Sequence, residues 1–222
     1  MKLVIGNKNY SSWSMRAWVL LRQAGIPFEE IPLKFDDDSR VRGVQAYSPT
    51  KRVPVLLVDG APVWDSLAIC ETAAEMFPAK RLWPAEQRAR ALARSICAEM
   101  HSGFHALRTA MPMNIRAAHP GKGMAEGVQG DIDRILAVWD DCRARFGSTG
   151  AMLFGHFTVA DAYYAPVVTR FITYGVPLPA AAREYVEAVC ELPGVAAWMS
   201  AARQETEFVA ADEPYTTVSG KR

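Results

Sequence analysis

Residues 48–75 constrain the fold more than any other stretch, because a polar loop leads straight into a proline at the start of an apolar strand. Proline donates no backbone hydrogen bond, so it is confined to the ends and edges of strands. The apolar strand Val55–Val58 is therefore predicted to begin at Val53-Pro54. A cis bond there would turn the Val53 backbone outward and leave its N–H and C=O free to pair with an extended peptide.

Two turn signals follow this strand. Asp59-Gly60 is typical of a tight hairpin turn, and Asp65-Ser66 is typical of a helix start, here predicted to run to Phe77. The helix start places a carboxylate, a hydroxyl and free backbone N–H groups close together. These are groups suited to holding a small peptide that carries both an ammonium and a carboxylate.

The first part of the chain is predicted to be a mixed α/β domain. An apolar strand at residues 3–5 precedes a helical pattern from Met15 to Gly25, and residues 26–33 form a second strand. An acidic loop with a short helix is predicted for residues 36–44. A crossover helix between the first two strands makes them parallel. The resulting order β-α-β-α-β-β-α is the thioredoxin-like arrangement, predicted to occupy residues 1–80.

Beyond residue 80 the strand signals disappear and helical periodicity takes over. Apolar side chains recur every three or four positions over residues 92–111 and again over residues 132–142. A further helix is predicted from Thr158, because Thr158 and Asp161 have the spacing of a capping box.

Two more helices fit residues 179–191 and 193–203, and residues 212–222 are predicted to form a loose tail. Together these patterns predict an all-helical domain over residues 86–222.

Composition excludes several kinds of partner. Half of the 222 residues are hydrophobic and the formal net charge is +1, without the basic excess that nucleic acids attract. No apolar run approaches a membrane span, and no signal peptide is recognisable, so we expect a cytoplasmic protein with no membrane partner. The four cysteines are scattered without metal-binding spacing, so no metal is expected and buried thiols are predicted.

The loop between the first strand and the first helix is rich in serine. In an open α/β sheet this loop lies at the carboxyl end of a strand, where ligands bind. It also forms a helix N-terminus, whose N–H groups and dipole favour an anion such as a thiolate. Ser14 is predicted to cap the helix, which leaves the hydroxyl of Ser11 or Ser12 to donate to sulfur. Arg16 is expected to have a structural role.

These motifs and the order of the two domains resemble the cytosolic glutathione transferase family. The resemblance implies the glutathione transferase fold and glutathione as cosubstrate, without a metal. It further implies that the Val53 backbone, next to Pro54, pairs with the cysteinyl part of glutathione. Asp65 and Ser66 would hold the γ-glutamyl end. Arg52 is the leading candidate for the glycine carboxylate, with Lys51, Arg40 and Arg42 as alternatives.

The serine loop resembles the SSCS(W)R loop of zeta-class transferases and the serine loops of theta-like classes. On that resemblance Ser11 corresponds to the serine that activates the thiol, with Ser12 as the second candidate and Tyr10 as a lesser one. Trp13 stands where zeta enzymes carry a cysteine, which argues against their isomerase activity.

The acceptor substrate is expected between the two domains. Candidate pocket residues are Trp13, Met15, His105 and Met111, since methionine and aromatic side chains suit a permissive apolar pocket. The expected activity is conjugation of glutathione to small hydrophobic electrophiles in detoxification, and the resemblance implies a homodimer.

Two alternatives to this activity are kept. One is a zeta-like maleylacetoacetate isomerase, which a cationic pocket containing Arg108 or Arg116 would favour. The other is a non-catalytic protein that binds glutathione or another ligand.

Overall fold

Four short strands are followed by a mainly helical second part in the computed structural model, which describes residues 1–216. The strands are β1 (Lys2–Ile5), β2 (Glu29–Pro32), β3 (Val55–Val58) and β4 (Ala61–Val63). The α-helices are α1 (Ser12–Gln23), α2 (Ser66–Met76), α3 (Gln87–Ser102), α4 (His105–Ala110), α5 (Val128–Phe146), α6 (Val159–Tyr174), α7 (Ala180–Glu191) and α8 (Pro193–Gln204).

The four strands form one mixed sheet in the order β2-β1-β3-β4. β1 runs parallel to β2 and antiparallel to β3, with Leu3 opposite both Glu30 and Leu56. Helix α1 provides the crossover that a parallel pair requires. The β3–β4 hairpin turns at Asp59 and Gly60, both with positive φ, as a tight turn of this kind needs. The predicted thioredoxin-like arrangement, followed by a helical part, is confirmed.

The short helix predicted within residues 36–44 is wrong. That stretch forms turns, and a single 3-10 turn at Val44–Ala46 follows Gly43, whose backbone is left-handed.

The predicted helix over residues 92–111 is wrong as a single element. α3 ends at Ser102, and α4 begins at His105 after Phe104 adopts a left-handed conformation with φ of 57°. The apolar period continues across this break because Met100, Phe104 and Leu107 all face the same core. Periodicity alone therefore did not reveal the interruption at Gly103.

Helix α1 joins the sheet to the helical part. Nine of its twelve residues are buried, so it has no broad solvent-facing side. Trp18 packs edge-on against Trp198 of α8, with ring centroids 5.3 Å apart. The core is consequently continuous between the two parts of the chain.

The capping box predicted at Thr158 is present and lies inside the core. Thr158 accepts a hydrogen bond from the Ala160 N–H, while Asp161 accepts from the backbone N–H groups of Thr158 and Leu153. The Tyr185 hydroxyl of α7 also donates to Asp161 at 3.2 Å. The box therefore fixes the start of α6 and its packing against α7 together.

The segment predicted as a loose tail is packed over its described part. Asp212 accepts a hydrogen bond from Ser39, and the Tyr215 hydroxyl donates to the Ala110 carbonyl at 2.7 Å. Glu213 is buried and accepts from Tyr10 and Thr216. Apolar periodicity could not show these contacts because they are polar. The rest of that prediction, residues 217–222, lies outside the described residues.

Three of the four cysteines, Cys70, Cys97 and Cys142, are buried as predicted, and Cys190 is half-buried. Burial raises the pKa of all four thiols, which keeps them protonated and unreactive near neutral pH. Within residues 1–216, no helix combines the length and apolar character needed to cross a bilayer.

Replacing Asp161 with alanine should lower the free energy of unfolding by roughly 2–4 kcal/mol, because buried N–H groups of two residues lose their acceptor. Urea denaturation followed by circular dichroism measures this change. Asp140→Ala, an exposed substitution on α5, should change the unfolding free energy by less than about 0.5 kcal/mol. Equal effects of the two substitutions would contradict the role given to the capping box.

Candidate active site

Two adjoining cavities lie at the carboxyl end of β1. The first, which we call the serine cavity, has a volume of about 730 Å³ and is lined by Ser11 and Ser12. The second, the aspartate cavity, has a volume of about 610 Å³ and is lined by Asp65 and Ser66. Their shared wall consists of Trp13, Arg52, Val53 and Arg108.

Ser11, rather than Ser14, is the N-cap of α1. Its hydroxyl accepts a hydrogen bond from the Ser14 N–H at 3.4 Å and donates to the Ser14 hydroxyl at 2.7 Å. Ser14 in turn accepts from the Gly6 N–H at 3.1 Å, which ties the helix to the end of β1. The prediction for Ser14 was wrong because α1 begins before the first apolar residue of its periodic pattern, Met15.

Both candidate serines lie against the serine cavity, but their hydrogen bonding differs. Ser11 is 4 % exposed and is oriented by its two bonds to Ser14. Ser12 is 8 % exposed, and its hydroxyl has no hydrogen-bond partner within residues 1–216. Ser11 is therefore held in a defined orientation, whereas no hydrogen bond from the described residues orients the Ser12 hydroxyl.

The Tyr10 hydroxyl is committed elsewhere. It donates to Glu213 at 2.7 Å and accepts from Arg116 at 2.8 Å. Burial, reinforced by the hydrogen bond to Glu213, raises the pKa of Tyr10 to about 12. Arg116 is bound to this cluster as well, through the Glu205 and Glu207 carbonyls, and it lines neither cavity. The Tyr10 hydroxyl is therefore not free to activate a thiol, and the Arg116 guanidinium is not free to bind a substrate carboxylate, as the sequence had allowed.

The aspartate cavity combines a backbone edge with a helix N-terminus. The Val53–Pro54 bond is cis, and the Val53 backbone forms no hydrogen bond within residues 1–216. Across from it, Asp65 caps α2 by accepting from the Leu67 N–H at 3.2 Å. Ser66 is buried, and its hydroxyl lies 2.9 Å from that of Tyr163.

His101 connects this cavity to the helical part. Its Nε2 atom lies 3.0 Å from an Asp65 carboxylate oxygen, and its Nδ1 atom lies 3.3 Å from the Tyr163 hydroxyl. His101 and His105 are four residues apart, a spacing that would put them on one face of a continuous helix. The break at Gly103 separates them, so that His105 lines the serine cavity instead.

Trp13 is surrounded by cationic groups. The guanidinium carbons of Arg16 and Arg108 lie 4.2 Å and 4.5 Å from the centre of its ring system, within cation–π range. Arg108 also donates to the His101 and Gly103 carbonyls, and burial lowers its pKa. The wall between the two cavities is thus aromatic and positively charged.

The serine cavity as a whole carries an excess of positive charge. Its basic side chains are Arg40, Lys51, Arg52, Arg108 and Arg170, with His105 beside them. Asp212 is the single carboxylate among the lining residues of the described chain, and burial raises its pKa. Such a cavity attracts an anion more strongly than a neutral molecule of the same size.

Two of the four predicted pocket residues line the serine cavity, namely Trp13 and His105. Met15 and Met111 are only 0 % and 1 % exposed and pack in the core. The prediction that these methionines line the pocket was wrong, because apolar residues at helical spacing belong to a core as readily as to a pocket.

Arg170 was missed altogether. It is 5 % exposed, its Nε–H donates to the Met111 carbonyl at 2.8 Å, and burial lowers its pKa to about 9. A single cation in the otherwise apolar α6 was the available signal. Among the described residues, no group of three or more His, Cys, Asp or Glu side chains is placed to hold a metal ion.

Comparison with protein families agrees with this geometry. The model of the glutathione S-transferase N-terminal domain matches residues 10–76, and that of the C-terminal domain matches residues 125–201. Together the two matches cover more than half of the sequence. The chain belongs to the glutathione S-transferase family.

Solved structures show the same fold over nearly the whole chain. A glutathione transferase homolog from Burkholderia gl BGR1, solved with bound glutathione, is 27% identical with a TM-score of 0.70, covering 92% of this chain and 98% of that one. A bacterial zeta-class maleyl pyruvate isomerase has a TM-score of 0.69 at 22% identity, covering 93% and 100%. The second likeness concerns the fold alone.

Among curated proteins, the maleylacetoacetate isomerase of Rattus norvegicus is 35% identical over 101 residues. That match covers 44% of this chain and 47% of the rat protein. The mouse enzyme of the same name matches to the same extent. The chain therefore spans about half the length of the curated relatives it matches.

Replacing Tyr10 with phenylalanine should lower the free energy of unfolding by about 1–2 kcal/mol, because the buried Glu213 carboxylate and the half-buried Arg116 guanidinium lose a shared partner. Urea denaturation measures the change. Tyr47→Phe is the matched control, since the Tyr47 hydroxyl forms no hydrogen bond within residues 1–216. An unchanged midpoint for Tyr10→Phe would show that this cluster does not hold the C-terminal segment.

Proposed function

We propose that this protein is a glutathione transferase that binds glutathione in the aspartate cavity and transfers its sulfur to an electrophile in the serine cavity. The observation that carries the proposal is the shared wall. The Val53 backbone edge and Trp13, at the N-terminus of α1, border both cavities, and the N-terminus of α2 lines the aspartate cavity. A tripeptide along that edge would bring its central thiol to the serine loop.

Each part of glutathione has a matching group. The Val53 N–H and C=O pair with the cysteinyl residue in the manner of an added strand. The γ-glutamyl carboxylate meets the Ser66 N–H and hydroxyl at the start of α2, while Asp65 takes the ammonium. Arg52 is exposed and lines both cavities, so it can reach the glycine carboxylate.

We propose a homodimer on family likeness. The exposed apolar side chains of Trp64, just before α2, and Met76, at its end, support this proposal.

Ser11 is the proposed donor to the thiolate. Hydroxyl protons rotate, so a sulfur anion beside Ser11 reverses the Ser11–Ser14 bond: Ser14 then donates to Ser11, and Ser11 donates to sulfur. The Gly6 and Ser14 N–H groups strengthen this chain, because hydrogen bonds in series polarise one another. The dipole of α1 adds a favourable field for an anion at its N-terminus. The protein thus contributes ionisation and orientation rather than a covalent intermediate.

Ser11→Ala should raise the pKa of the bound glutathione thiol by about 1–2 units, because the thiolate loses a hydrogen bond from a preorganised donor. We expect kcat/KM for a reactive electrophile such as 1-chloro-2,4-dinitrobenzene to fall by about 10- to 1000-fold near neutral pH. The thiolate absorbance followed against pH measures the first effect, and initial rates measure the second.

Ser12→Ala is the matched comparison, since it removes a neighbouring hydroxyl that lacks an orienting partner. Little change in Ser12→Ala together with the loss in Ser11→Ala supports the assignment. The reverse pattern would show that Ser12 is the donor. Absence of glutathione binding to the unmodified protein would instead favour a non-catalytic ligand-binding protein.

A specific observation favours a second candidate, a zeta-like isomerase that acts on a maleyl-type dicarboxylate. The serine cavity is cationic, and the half-buried Arg108 faces both cavities, as binding of a carboxylate requires. The partial likeness to maleylacetoacetate isomerases points the same way. Trp13, in place of the zeta-class cysteine, argues against it.

The two candidates differ in their response to Arg108→Gln. If the protein is such an isomerase, the variant's kcat/KM for glutathione-dependent cis–trans isomerisation of maleylacetoacetate should fall at least about tenfold, because a charged contact to the substrate is removed. Conjugation of a neutral electrophile should change far less. Absorbance assays with each substrate measure both rates. Failure of the unmodified protein to isomerise the substrate would eliminate this candidate.

A further inference from the structure

Arg16 is a charged side chain that the fold buries without pairing it. The residue is 1 % exposed, in the second turn of α1. Its Nε and Nη1 atoms have no hydrogen-bond partner within residues 1–216, and no carboxylate there forms an ion pair with it. A purely structural arginine is normally paired, because an uncompensated buried cation is strongly unfavourable.

The side chains around Arg16 do not neutralise its charge. Its guanidinium lies between the rings of Trp13 and Tyr163, at 4.2 Å and 4.6 Å from their centres. The other titratable neighbours are Cys70 on α2, Cys97 on α3, Arg108 on α4 and Arg170 on α6.

Burial raises the pKa of Tyr163, Cys70 and Cys97, so these groups are neutral near pH 7. The two arginines carry the same charge as Arg16. His101 packs against both rings on the cavity side, and the Asp65 carboxylate beside it contacts the His101 imidazole at 3.0 Å rather than the Arg16 guanidinium. Burial also lowers the pKa of Arg16, to about 10, which still leaves it charged near neutral pH.

The Arg16 charge lies about one helical turn along α1 from the serine cavity. Arg16 follows Ser12 by four residues, which is about one helical turn, or roughly 6 Å of rise. Trp13 separates the guanidinium from both cavities, so a ligand does not touch it. A buried charge at this range acts through low-dielectric protein and is poorly screened by salt.

We propose that Arg16 supplies a fixed positive charge behind Trp13 that favours the thiolate form of glutathione bound at the N-terminus of α1. This inference rests on the proposed function. In this account Arg16 contributes the field it creates, since burial of an unpaired charge is in general unfavourable for stability. The anion that compensates it arrives with the ligand.

The test compares Arg16→Met, which removes the charge, with Arg16→Lys, which retains it. In Arg16→Met the pKa of the bound glutathione thiol should rise by about one unit, so that about tenfold less thiolate forms below that pKa. Arg16→Lys should keep most of the shift. Arg22→Met is the control, because it removes an exposed arginine from the last turn of the same helix.

Two further measurements separate an electrostatic role from a structural one. S-methylglutathione, which has no thiolate, should bind the unmodified protein and Arg16→Met equally well in calorimetry. Arg16→Met should also unfold at the same or higher urea concentration, since an apolar side chain replaces an unpaired buried charge.

Several results would overturn the inference. An unchanged thiol pKa in Arg16→Met, with the normal shift in the unmodified protein, rejects the role of Arg16 alone. A destabilised or unfolded Arg16→Met protein, or equal weakening of S-methylglutathione binding, would show a structural role instead. An unmodified complex whose thiol pKa equals that of free glutathione rejects the proposed function itself, and this inference with it.

Discussion

The burial of helix α1 is the constraint on which the rest of the structure depends. Its apolar residues pack against the sheet on one side and against α6 and α8 on the other, so one helix belongs to both cores. Its N-terminus is therefore held at the carboxyl end of β1 with little freedom to move. The Gly6–Ser14–Ser11 hydrogen bonds tie the serine loop to that rigid base. A site that must place a hydroxyl within a few tenths of an ångström gains from such support.

The same burial shapes the electrostatics of the site. Cationic groups surround Trp13, while the two carboxylates that line the cavities already have partners, Asp65 in His101 and Asp212 in Ser39. The protein alone thus leaves an excess of positive charge around the serine cavity. An anionic ligand would neutralise part of this excess, so binding of such a ligand is expected to stabilise the folded protein. Stability and function are expected to oppose each other here, as they often do at active sites.

Local patterns predicted the elements well, because their causes are local: a proline at a strand start, Asp59-Gly60 at a hairpin and the Thr158–Asp161 spacing at a helix start. Tertiary contacts escaped this reasoning. The left-handed Phe104 splits an uninterrupted apolar pattern, and Glu213 reaches Tyr10 across most of the chain. Met15 and Met111 show that helical spacing cannot distinguish a core from a pocket. The lack of partners around Arg16 is likewise a property of the packed structure only.

The central claim is that the cavities bind glutathione and ionise it. The most direct test follows the ultraviolet thiolate band of glutathione against pH in the presence of saturating protein, with affinity measured by calorimetric titration. The account predicts binding, with a thiol pKa well below the ordinary value of about 8.5. Binding without a lowered thiol pKa, or no binding at all, would contradict it.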